Sequence, residues 1–226
     1  MTTPLKALSS YGPRQFGDRI GLPEWQFERA LRLELIPAAD AGGRWSAAVF
    51  NEVLSRLDAV RTAVGTIPDV GAARAEEHLA DRFGITVNPG TAAELSRRGH
   101  LPVRGDYRGH TLYCGLALEA FTDRRKVERA SRAGQLHMRD EAARVLELRD
   151  SDFEHLVRSG LLTHSDTTVS SWHKGTVVRL YRQADLDLVL RSSRIDFDAV
   201  RATPKGHKSP LAALPSAARP QRPDVA

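Results

Sequence analysis

At 226 residues the chain is long enough for one large domain or two to three small ones. Its 41% hydrophobic and 27% charged residues match a soluble globular protein, no apolar run has membrane-helix length, and the lone Cys114 excludes an internal disulfide or a zinc finger. The net charge of +5 is uneven: from residue 198 five basic residues face two acidic ones, leaving residues 1–197 at +2, so placement of charge matters more than its sum.

The opening "MTTPLKALSSYGPRQF" lacks the apolar centre of a signal peptide, so a cytoplasmic address is expected. Arginine outnumbers lysine 28 to 5, which points to a GC-rich bacterial coding sequence. Three stretches then end a helical pattern alike: "ERALRLELIP" (28–37), "AELSRRGHLP" (93–102) and "EHLVRSGLLT" (154–163). Aligning Ile36, Leu101 and Leu162 also aligns Ala30, Leu95 and Leu156, and three residues earlier Phe27, Ala92 and Phe153. That spacing is one helix face turned to a core. Pro23 can open the first of these helices, Asn88-Pro89 reads as cap and first turn of the second, and Ser151 with Glu154 as a capping box for the third. Gly99 and Gly160 stand where a left-handed C-cap belongs, and Glu34 takes that place in the first stretch.

A shorter helical pattern precedes each stretch, at 12–22, 71–85 and 139–149. A hairpin follows each, at 36–46, 101–113 and 161–181, and then an apolar helix, at 47–64, 114–121 and 183–193. The period of about 60 residues is too long for a solenoid and fits three small domains in a row. Between the second and third, Asp123 can cap a helix carrying Arg124, Arg125, Lys126, Arg129 and Arg132, which reads as a solvated linker helix with Val127 and Ala130 toward a core, as a phosphate contact, or as both on opposite faces. From 198 the proline-rich end reads as a disordered basic tail.

This unit resembles the winged helix-turn-helix of excisionase and MerR-type DNA-binding proteins. The resemblance lies in "AEEHLADRFGI", "TAAELSRRGHLPVRGDYRGHTLY" and "LEAF" of the middle unit, in "LYRQADLDLVL" (180–190) and in "GRWSAAV" (43–49). It implies a mainly α protein of three tandem winged helix-turn-helix units with small β-hairpin wings, at 1–66, 67–122 and 123–197, followed by the tail at 198–226. It further implies that the second helix of each unit enters the major groove of double-stranded DNA while the wing follows phosphate or the minor groove.

Phosphate contact needs Arg or Lys, and base edges need polar side chains on the exposed helix face. In the middle unit the candidates are Thr91 and Glu94 at the helix start, Arg97 and Arg98 at its end, and Arg104, Arg108 and His110 in the wing. The first unit offers Gln26, Arg29, Arg32 and Arg44, set among Glu24, Glu28 and Glu34. The third offers Arg158, His173 and Lys174, although Asp152 and Glu154 face phosphate badly or serve their own helix dipole. The competing view of each is a solvated arginine-rich surface, and an outer unit can instead contact protein. Trp25, Trp45 and Trp172 suit packing better than base stacking.

Catalytic and metal motifs are not found, and the eight histidines lack ligand spacing. No enzymatic activity, cofactor or small-molecule ligand is expected. A nucleoid-associated transcriptional regulator follows from the resemblance; the alternatives are an architectural, recombination or replication accessory factor, and a protein-binding adaptor.

Overall fold

The computed structural model describes residues 8–170 and 175–217. Among them are twelve α-helices and seven short strands, a mixed α/β chain about half helical with small antiparallel sheets. The chain begins with β1 (Ser10–Tyr11), α1 (Pro13–Ile20), α2 (Glu24–Arg32), β2 (Trp45–Ser46), α3 (Ala47–Ser55) and α4 (Leu57–Val64). It continues with α5 (Ala72–Phe83), α6 (Thr91–Arg97), β3 (Val103–Tyr107), β4 (His110–Tyr113), α7 (Gly115–Glu119) and α8 (Arg124–Gly134). The last part holds β5 (Leu136–His137), α9 (Arg139–Val145), α10 (Asp150–Arg158), β6 (Asp166–Val169), β7 (Val177–Arg182), α11 (Gln183–Leu190) and α12 (Phe197–Ala202). No helix among the described residues is long and apolar enough to cross a membrane.

One local order recurs three times. A short extended segment precedes two helices, and each helix ends at a left-handed residue: Gly21 and Glu34, then Gly84 and Gly99, then Glu147 and Gly160. Glycine adopts this conformation at no steric cost, whereas Glu34 and Glu147 (φ 56° and 55°) hold it against a penalty of about 1 kcal/mol. In each case the leading segment pairs with the strand that enters the next helix: Tyr11 with Trp45, Val70 with Tyr113, His137 with Tyr181. The nine aligned apolar positions, from Phe27 to Leu162, are all buried.

The chain forms two compact units. The first runs to Gly71 and takes in Leu101–Thr122; the second holds Ala72–His100 and everything from Asp123. The first has an aromatic core in which Phe16 lies 5.2 Å from Trp45 and 5.2 Å from Phe50, while Tyr11 stacks on Phe50 at 4.2 Å. Trp45 is also held by its Nε1 donating to the Pro37 carbonyl. In the second unit Phe153 meets the edge of Tyr181 at 5.0 Å within a cluster that includes Leu156, Leu162 and Leu186.

Several expectations need correction. The 47–64 helix breaks at Arg56 into α3 and α4. The hairpin expected at 36–46 closes only a turn between Ala41 and Arg44, since β2 pairs with β1 instead. Asn88 does not cap α6: Gly90 does, and the first N–H groups go to Glu76. Ser151 lies inside α10, whose cap is Arg149. The stretch from 198 to 217 is not a loose tail, because α12 and a 3-10 turn at Pro210–Ala213 bury Val200 and Leu211 in the second core. Composition hid this, since two or three apolar side chains at the right spacing dock a segment that is otherwise polar and proline-rich. Residues 218–226 of the expected tail, and Trp172, lie outside the described residues.

Candidate nucleic-acid interface

In the first compact unit the hairpin β3–β4 is the element that reaches into solvent. All five β3 residues are exposed. Arg108 and Gly109, both left-handed (φ 53° and 80°), form the two-residue turn that the right-handed twist of a hairpin favours. Asp106, the one acid of the hairpin, accepts the Gly109 N–H at 2.8 Å and so serves the turn. Arg108 lies over the Tyr107 ring at 5.1 Å, and His110 stands opposite Tyr107. A bulge between Val103 and Gly105 sets Arg104 out of register, where its guanidinium meets the Cys114 thiol. Cys114 and, further off, Asp69 hold the Arg104 pKa above its ordinary value. The hairpin thus offers Arg108 and His110 at its tip beside the exposed Tyr107, and Arg104 near its base.

The base of the hairpin is fixed by a buried polar hub. Tyr113 exchanges two backbone hydrogen bonds with Val70. Asp69 Oδ1 accepts the Gly115 N–H at 3.0 Å and Arg29 at 2.8 Å, and Oδ2 accepts Arg32 at 3.1 Å. Arg29 also donates to the carbonyls of Val64 (2.7 Å) and Ile67 (2.8 Å) and stacks on Trp25. Burial alone would raise the Asp69 carboxyl, but the Gly115 N–H and the two arginines outweigh it and hold it below the usual carboxylate range. Gly115 is obligatory here, because a Cβ would lie 2.1 Å from the Ile67 carbonyl oxygen.

Arg29, expected to meet DNA, is therefore a correction: it is 2% exposed and anchors the hairpin base. The reason is geometric, since it lies on the α2 face that packs toward α4 and the 65–69 segment. Gln26 on the same helix donates to the Gly65 carbonyl at 2.7 Å, and Arg32 shares Asp69. What α2 presents to solvent includes Glu24 and Glu28. Arg44 is exposed but is spent on Ser10 and Gln15.

In the second compact unit α6 is packed from two sides. Thr91 is fully buried and donates to the Asn88 carbonyl, and Glu94 is 4% exposed, so neither side chain is placed to meet a base. Both are corrections, and the cause is the close crossing of α8, where Gly134 touches Gly90 and the Glu94 Cβ. Glu94 accepts Arg98 at 2.7 Å, Arg182 at 2.7 Å, and Arg97. Burial would raise its carboxyl, but these arginines hold it low. Arg97 and Arg98 remain half-exposed, with one side turned to Glu94. Arg158 is exposed on α10 and hydrogen-bonds His155. His173 and Lys174 lie outside the described residues.

No protein-family model, curated protein or solved structure matches this chain. Among the described residues no cluster of three or more His, Cys, Asp or Glu side chains could hold a metal ion.

Three residues escaped sequence reasoning. Asp69 sits in an unremarkable "IPDVG" loop, and nothing local marks it as a hub. Arg182 was visible only as part of a strand ending. Tyr107 could have been found, since an aromatic beside the turn of a basic hairpin has no core to enter.

Proposed function

We propose that this chain binds double-stranded DNA and acts as a transcriptional regulator, with three units of winged helix-turn-helix type. The threefold recurrence of strand, helix, left-handed cap, helix and left-handed cap supports the tandem units. The observation that carries the function is the β3–β4 hairpin, which exposes Arg104, Arg108 and His110 while its own acid, Asp106, serves the turn. Such a hairpin suits phosphate, and permanent arginine charge gives affinity through counterion release. With Thr91, Glu94 and Arg29 committed inside the protein, the wing leads and the second helices follow, so electrostatic contact outweighs base readout. A nucleoid-associated, cytoplasmic address accompanies this function.

The test is a pair of double variants in the full chain, with duplex affinity followed by fluorescence anisotropy. Arg104→Gln with Arg108→Gln is expected to lower the magnitude of the log affinity–log salt slope by about 1.8, for two phosphates. Lys205→Ala with Lys208→Ala is expected to leave it unchanged. Equal effects from both pairs would sink the wing assignment. A discrete footprint supports regulation, whereas cooperative spreading supports an architectural role.

A further inference from the structure

We infer that α8 is a second phosphate-binding surface, a rigid row of three arginines that lies along one strand of a DNA duplex. It rests on the DNA-binding function proposed above. Arg125, Arg129 and Arg132 are spaced i, i+4 and i+7, which puts them on one helix face. All three are exposed, and none makes an ion pair within 4.0 Å among the described residues. Their neighbours differ: Arg124 is paired with Glu128 and Lys126 with Asp123. Some exposed arginines elsewhere are paired, as in Arg14–Asp18, Arg56–Glu52 and Arg139–Glu154, and those without an ion pair, such as Arg74 and Arg144, stand singly rather than in a row.

The opposite face of α8 fixes where the row points. Val127, Ala130, Ser131 and Gly134 are buried. Ser131 Oγ accepts the Asn88 N–H at 2.9 Å. A Cβ on Gly134 would lie 2.6 Å from the Gly90 carbonyl oxygen, so α8 and α6 meet backbone to backbone and α8 has no freedom to roll. Asp123 caps the start of the helix through the Lys126 N–H. At 1.5 Å per residue the row spans about 10 Å, within reach of neighbouring phosphates of one strand for side chains as long as arginine. Three guanidiniums without an ion pair within 4.0 Å among the described residues, on one face of a fixed helix, match a run of phosphates better than a dispersed acidic protein surface.

The experiment compares three full-length proteins on a labelled random-sequence duplex across a salt series: wild type, Arg125→Gln/Arg129→Gln/Arg132→Gln, and a control with Arg14→Gln/Arg56→Gln/Arg139→Gln. The α8 triple variant is expected to lose about 2.7 from the slope magnitude. Over a fourfold rise in salt, wild type then loses about 40-fold more affinity than the variant. The control removes the same charge from paired positions and is expected to keep the wild-type slope. An unchanged slope in the α8 variant, with wild type binding normally, overturns the α8 surface alone. An equal fall in the control overturns it too, because bulk charge would then explain the effect. Failure of wild type to bind any duplex overturns the DNA function beneath it. The substituted side chains face solvent, so circular dichroism should match wild type.

Discussion

Replacing Arg29 with Met separates a structural role from a DNA contact. The variant removes donors from the Val64 and Ile67 carbonyls and from Asp69 Oδ1, while Met keeps apolar contact with Trp25. Breaking a buried ion pair from one side costs about 3–5 kcal/mol. Asp69 keeps Arg32 and the Gly115 N–H, which places this case near the lower end, at about 3 kcal/mol. With a urea slope of about 2 kcal/mol/M, the midpoint of the first unit should fall by roughly 1.5 M, followed by tryptophan fluorescence. The salt slope of duplex binding, measured where the variant is folded, should not change, because Arg29 meets no phosphate. A stability within about 0.5 kcal/mol of wild type, together with a slope reduced by about 0.9, would show that Arg29 touches DNA and that the hub is misassigned.

Other consequences can be measured on the same protein. Leu211→Ala should destabilise the second unit by about 2–4 kcal/mol in urea, since Leu211 is buried in its core; a silent substitution would restore the loose-tail expectation. Gly134→Ala should cost about 2–3 kcal/mol or more, because the new methyl meets the Gly90 backbone rather than a flexible side chain; a neutral result would mean that α6 and α8 can part. Burial raises the Glu76 pKa despite the N–H groups of Ala92, Gly90 and Thr91. Its folded value then exceeds its unfolded one, so ionised Glu76 subtracts stability as pH rises through the folded value. Glu76→Gln keeps the acceptor and should gain on wild type between pH 4 and pH 8; a gap that does not change with pH counts against this. The opposite sign holds for Asp69, Glu94, Asp152 and Asp185, whose lowered values add stability above the ordinary carboxylate range that is lost as pH falls through them.

The parts of this fold that depend on neighbours in sequence were legible. Ala30, Leu95 and Leu156 declared their buried faces by spacing, Asp123 its cap, and the 101–113 stretch its hairpin. What depends on distant partners was not. Arg29 and Asp69 are 40 residues apart and meet only because α2 packs toward the 65–69 segment. Glu94 looked like an exposed acid at a helix start until Arg182, 88 residues on, covered it. Glu34 and Glu147 hide the left-handed turns that glycine announces elsewhere. The site was half legible for the same reason: the wing arginines need only exposure, while the helix residues depend on what packs over them.

The most direct measurement is the anisotropy of a labelled random-sequence duplex titrated with the full wild-type chain from low to physiological salt. The wing arginines Arg104 and Arg108 predict binding at low salt with a log–log slope of about −1.8, and the α8 row of Arg125, Arg129 and Arg132 predicts about −2.7 for its own contact. No binding at low salt, or an affinity that salt does not change, would contradict the DNA function.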